Sequence, residues 1–206
     1  MFCSQTCLES SWNRFHKFEC ASLDQSLEND NDYDMMILKI VFESLKYAGS
    51  LDKLQTLLGD PKLNATVFDF DLNPKKTDNN YERNLLKSIY SLKKGPTSDE
   101  DLTMAEWIAD LPTLSSQCHT KSQKDFMKNF VVKIMGIIDR NSYIFYCPSL
   151  SSPYINEEIG SGVFPFASLI NHSCSPNLYR VFVDNKQVFV VKKPIEAGQQ
   201  LFVGYQ

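Results

Sequence analysis

Asn171-His172-Ser173-Cys174-Ser175-Pro176-Asn177 sets seven polar or turn-forming residues in a row, directly after the apolar stretch Phe164–Ile170. A helix with one apolar stripe, or a strand with one apolar face, has no use for such a run. A turn that presents side chains to a ligand does. Asn, Ser and Pro each favour turns for a separate reason: side-chain bonding to nearby backbone, or a fixed φ. Downstream, in Pro194–Tyr205, Gly198 marks a turn and Leu201-Phe202-Val203 reads as a last short strand.

The rest of the chain divides by texture. Residues 35–58 carry Met36, Ile37, Ile40, Val41, Leu45, Leu51, Leu54, Leu57 and Leu58 at helical spacing, and Gly49 splits them into two helices. Residues 59–80 are loop-rich, and 81–92 are helical again. Lys94-Gly95-Pro96 ends that segment, and Thr97 with Glu100 is placed to cap the next helix. Residues 122–139 form the strongest helix, with Phe126, Phe130, Ile134, Ile137 and Ile138 on one stripe. After Asp139 strands take over: 142–146, then 178–183 and 188–192 as a hairpin. Gly160-Ser161-Gly162 reads as a tight turn. Helices first and strands last make an α+β order.

Bulk properties exclude several classes. A net charge of −4 argues against a broad basic surface for nucleic acid. Only Arg14 and Lys17 are basic within residues 1–20. No apolar run approaches the ~18 residues of a membrane span. The N-terminus lacks the basic-then-apolar pattern of a secretory signal, so the six cysteines read as metal ligands or buried thiols rather than disulfides. Cys3, Cys7, His16 and Cys20 cluster at a spacing that suits zinc. Cys118 and Cys147 read as structural.

Taken together, the quoted motifs carry a resemblance. Asn171–Asn177 and Gly204-Tyr205 are similar to the paired signature of SET-domain lysine methyltransferases. Cys3 to Cys20, with Trp12 between, resembles the C-terminal half of a MYND zinc finger. With a helix-rich middle, this is the order of the SET-and-MYND (SMYD) methyltransferases. The resemblance implies residues 1–20 as half a finger, 21–139 as a helical insert, and 140–206 as the C-terminal part of a SET domain. It implies S-adenosylmethionine as methyl donor and a protein or peptide lysine as acceptor. It implies Tyr205 at the methyl-transfer pore and Asn141, Asn171 and His172 on the donor. In the family finger Cys3 and Cys7 would serve one zinc ion, and His16 and Cys20 the other. Cys174 resembles the SET cysteine that joins three later cysteines around a further zinc. Those partners are not in the sequence, so Cys174 is expected as a free thiol.

The first SET strands, with their glycine-rich donor loop, and the first half of the finger are also not in the sequence. The expectation is weak donor binding and little turnover by this chain alone. Two alternatives stand for the zinc ligands: all four on one ion, or an incomplete finger. A catalytically silent adaptor is the rival function, since MYND fingers bind proline-containing peptides of transcriptional regulators. Neither reading involves sequence-specific nucleic acid or a membrane, and the expected location is cytoplasm and nucleus.

Overall fold

The structure is a computed structural model and describes residues 4–17, 20, 32–59, 86, 88–92, 94–148, 156–183 and 186–205. Cys3, the loop expected over 60–80, and the first residues of the helix expected over 81–92 lie outside the described residues. The fold is α+β, with two compact units, Met1–Arg140 and Asn141–Gln206.

In the first unit, α1 (Gln5–Ser11) is capped by Ser4, whose hydroxyl accepts the Cys7 N–H at 3.1 Å. It runs into one π-type turn at Trp12–His16. Helices α2 (Asp32–Ala48) and α3 (Leu51–Gly59) are the expected pair. Gly49 between them takes φ +79°, a left-handed position that closes α2. Leu86 and Ser88–Ser91 are helical, and α4 (Asp99–Asp110) follows. Its cap differs from the expected Thr97 and Glu100. Ser98 is the N-cap, and its hydroxyl and the Asp101 carboxylate form the reciprocal box. Asp meets the same backbone donor as Glu through a shorter arm, so the box is one residue later.

After a short α5 (Pro112–Ser115), α6 (Lys121–Asn141) forms the centre of this unit. Met127, Phe130, Val131, Ile134, Met135, Ile137 and Ile138 are all buried along it. Each fully buried aliphatic side chain contributes about 1.5–3 kcal/mol. Polar contacts tie neighbouring helices to α6. Tyr33 of α2 donates to Asp139 at 2.5 Å, Gln123 donates to Asp52 of α3 at 2.8 Å, and Lys128 pairs with Glu106 of α4 at 3.1 Å.

One group works against this unit. Asp34 is 2% exposed, and its Oδ1 has no hydrogen-bond partner among the described residues. Burial raises its carboxyl above the ordinary aspartate value. A raised folded-state value means that stability is greatest below the unfolded value and falls as pH rises through the folded one. Asp34→Asn is therefore expected to unfold at higher denaturant than the parent at pH 7. The gain should vanish below about pH 3.8, the unfolded aspartate value. Urea titrations at several pH values check this, and a gain that does not change with pH rules it out.

The second unit is built from three two-stranded pieces. Strands β1 (Ser142–Pro148) and β2 (Asn156–Val163) are antiparallel. Here the expected tight turn at Gly160–Gly162 is corrected: both glycines lie inside β2. Phe145 pairs with Gly160 and Tyr146 with Glu158, so Ile159 is the extra residue of a bulge. Gly160 takes φ +146° there. A Cβ on Gly162 would come within 3.3 Å of the Phe145 and Phe164 rings. The pattern that looked like a turn serves a bulge and a close ring approach. A 3-10 turn at Ala167–Leu169 leads to β3 (Asn171–His172). Strands β4 (Leu178–Val183) and β5 (Lys186–Val191) form the expected hairpin, whose tip residues 184 and 185 lie outside the described residues. The chain then returns to lay β6 (Phe202–Val203) parallel to β3.

Packing in this unit is aromatic. Phe145 and Phe182 have ring centroids 3.7 Å apart, and Phe164 stands edge-on to both, at 5.8 and 5.4 Å. The Arg180 guanidinium lies 4.9 Å from the Tyr143 ring centroid, a cation–π contact.

Candidate active site

Two residues of parallel pairing position the site. Asn171 is opposite Phe202 and His172 is opposite Val203. Parallel neighbours need a crossover, and the β4–β5 hairpin is that crossover. So short a ladder cannot hold itself, and Asn177 completes it. Asn177 is 2% exposed. Its Nδ2 donates to the Gln200 carbonyl at 2.9 Å, and its Oδ1 accepts the Phe202 N–H at 2.8 Å. The Asn177 carbonyl in turn accepts the Lys192 N–H at 2.9 Å, and the Ser173 N–H donates to the Val203 carbonyl at 3.0 Å. The polar run is thus the knot that fixes β6, with Asn177 and the Ser173 N–H spent on its backbone.

What β6 delivers is Tyr205. Its N–H donates to Nδ1 of His172 at 3.1 Å, and the two ring centroids are 5.1 Å apart. Its hydroxyl donates to the Ile170 carbonyl at 3.0 Å. The phenol is thereby anchored at both ends while remaining 56% exposed. Because Nδ1 accepts, a neutral His172 carries its proton on Nε2, which lies 3.4 Å from Cys174 Sγ. Cys174 is an exposed free thiol. Asn171 is exposed, and its side chain makes no hydrogen bond among the described residues. It is available to a ligand, and its amide can both donate and accept.

Asn141 joins from the end of α6. It is buried, and its carbonyl lies 3.1 Å from the Ser168 hydroxyl, which also lies 3.0 Å from the Phe164 carbonyl. Burial pushes the Tyr143 hydroxyl above the ordinary tyrosine value, opposed by Ser168 and the Arg180 charge, with Tyr205 also nearby. Tyr143 stays a neutral phenol at physiological pH. The site thus has four members beyond those read from sequence: Tyr143, Ser168, Asn177 and Arg180. Asn177 was visible as the end of the polar run. The other three carried no signal, since a Tyr, a Ser and an Arg in strands and turns are common.

Among the described residues no group of three His, Cys, Asp or Glu side chains is placed to hold a metal ion. Cys7 and Cys20 are exposed, and the His16 ring packs edge-on against Trp12 at 5.8 Å. Cys3 lies outside the described residues. Cys118 is buried on α5's exit turn, as a structural thiol should be, and burial raises its value.

Comparison with known proteins agrees with this geometry. The SET domain family profile matches residues 61–206. N-lysine methyltransferase SMYD2 of Homo sapiens is 26% identical over 147 residues, covering 68% of this chain and 34% of that protein. Histone-lysine N-methyltransferase ASHR1 of Arabidopsis thaliana is 24% identical over 204 residues, 99% of this chain and 36% of the relative. Histone-lysine N-methyltransferase SMYD3 of Mus musculus is 41% identical over 49 residues, 24% of this chain and 11% of that protein. The chain spans about a third of the length of SMYD2 and ASHR1. With the profile covering most of its length and the polar knot in place, the chain belongs to the SET-domain family.

Proposed function

We propose that the protein is an S-adenosylmethionine-dependent protein-lysine methyltransferase of the SET-and-MYND kind. The carrying observation is the β3–β6 pairing that sets Tyr205 against His172, with Asn171 opposite Phe202 on the same ladder. S-adenosylmethionine would supply an electrophilic methyl group for displacement by a neutral lysine amine. Such a reaction needs alignment and charge placement more than covalent help from the protein. Asn171, with its uncommitted amide, would hold the donor together with His172 and Asn141. Tyr205 donates its own proton to Ile170, which leaves its oxygen lone pairs to accept from the incoming amine. His172 acts on Tyr205 from behind, as a positioning residue for its backbone.

The relatives' names as lysine methyltransferases support the acceptor class. The MYND-type finger, with its zinc and its proline-containing partner peptides, rests on the spacing Cys3-x3-Cys7-x8-His16-x3-Cys20 alone. The division into a half-finger (1–20), an insert (21–139) and the SET C-terminal part (140–206) belongs to the same proposal.

Calorimetric titration with S-adenosylhomocysteine tests the donor site. The expected isotherm is weak, approaches one ligand per chain at high ligand concentration, and weakens further in Asn171→Ala. A flat isotherm would sink the donor-site reading and leave a binding adaptor.

A further inference from the structure

A cavity of about 660 Å³ opens between β1 and β4, and its shape is informative. Tyr143–Tyr146 line one wall and Leu178–Phe182 the other, each an unbroken run of residues. Successive strand residues point to opposite faces, so a wall made of consecutive residues is a strand edge rather than a face. The opposite edge of β1 is paired with β2, and that of β4 with β5. The cavity is therefore a slot along two strand edges that are unpaired among the described residues, open also to Gln187 of β5, and such edges offer backbone donors and acceptors to an extended chain. It reaches Val203 and Gly204, and so ends beside Tyr205.

Its charge is one-sided. Arg180 and Lys192 are the charged residues of the lining, and no carboxylate is among them. Arg180 is half-buried, held against the Tyr143 ring, and has no ion-pair partner among the described residues. A partly desolvated guanidinium without a carboxylate is an incomplete arrangement. Gln187 also lines the slot, and its buried Oε1 has no hydrogen-bond partner among the described residues. The slot thus lacks an anion for its guanidinium and a donor for its amide oxygen, both of which an extended acidic peptide can supply.

We propose that this slot seats an acidic stretch of the protein substrate beside the target lysine, with Arg180 and Lys192 binding its carboxylates. The identity of the occupant as substrate rests on the methyltransferase reading. The geometry of the slot does not.

Fluorescence anisotropy on the 206-residue chain tests it, with labelled peptides carrying one lysine flanked by Glu, by Gln or by Arg. The Glu peptide is expected to bind about tenfold tighter than the Gln peptide, with the Arg peptide weakest. The preference should shrink at high salt and disappear in the double variant Arg180→Gln, Lys192→Gln. Arg180 also packs on Tyr143, so Lys192→Gln alone, at an exposed position, is the control for folding. It should lose part of the preference with an unchanged circular dichroism spectrum. Equal binding of Glu and Gln peptides, absence of peptide binding, or a preference that survives the double variant would each overturn the proposal. Loss of S-adenosylhomocysteine binding with the Glu preference intact would sink the methyltransferase reading alone and leave the slot as an acidic-peptide groove.

Discussion

Asn177→Ala is expected to lower the unfolding free energy of the Asn141–Gln206 unit by about 1–3 kcal/mol, and to free Tyr205 from His172. The side chain is almost fully buried and satisfied by two backbone groups of the returning chain, Gln200 O and Phe202 N–H. Truncation leaves both without a partner. An orphaned buried group costs about 1–3 kcal/mol; the half-buried Phe202 N–H loses most of its bond, while the carbonyl of the exposed Gln200 regains part of its own from water. The loss falls on a ladder only two residues long, where β6 has little else to hold it. Asn177→Asp separates the two bonds. Its carboxylate can still accept from Phe202 N–H but sets an oxygen against the Gln200 carbonyl, so an intermediate loss is expected. Urea unfolding followed by tyrosine fluorescence measures the stability, and amide exchange at Phe202, Val203 and Tyr205 reports the local release. An Ala variant within about 0.5 kcal/mol of the parent, the ordinary range for a surface substitution, would show that β6 is held by other means.

The elements that were legible in the sequence are those with a strong period. The α6 stripe from Phe126 to Ile138 and the Gly49 break between α2 and α3 follow from spacing alone, because apolar burial and a left-handed turn leave direct marks. The β4–β5 hairpin was legible for the same reason. Strand β2 was not. Its Asn156–Val163 segment holds two glycines and two glutamates, and its register depends on a bulge fixed by rings from β1 and the following turn. No local pattern encodes that. Likewise, the α4 cap sits one residue from its expected position, since two hydroxyl residues in a row, Thr97 and Ser98, offered the same chemistry.

The site was legible by residue and illegible by role. The polar run was read as ligand-binding throughout, yet Asn177 and Ser173 are spent on holding the returning chain. Only Asn171, His172, Cys174 and Ser175 of the run are exposed. Which member binds and which one clamps depends on a pairing between residues about 30 positions apart in the chain, and sequence spacing does not report it. Tyr143 and Arg180 show the same limit. Their contact joins two strands that share no local signal, and it is this contact that orients the guanidinium toward the slot.

Tyr205→Phe is expected to lower the methyl transfer that the protein supports, itself low in this chain alone, by about 100-fold in kcat/KM, with S-adenosylhomocysteine affinity within about twofold of the parent. The substitution keeps the ring, and with it the packing on His172 at 5.1 Å and the backbone bond to Nδ1. It removes the hydroxyl, and so removes two things at once. The bond to the Ile170 carbonyl is lost, which lets the ring tilt. The oxygen that would orient the amine is also lost, and a misdirected amine cannot reach the back of a carbon–sulfur bond. Because Tyr205 is exposed, folding should change little, and an unaltered melting curve separates a chemical loss from a structural one. His172→Ala removes the acceptor of the Tyr205 N–H instead. It should lower the rate less, while also weakening donor binding, since His172 sits on both paths. A Phe variant that transfers methyl groups at the parental rate would take Tyr205 out of the pore. A variant that loses donor binding as well would place the hydroxyl on the donor rather than on the amine.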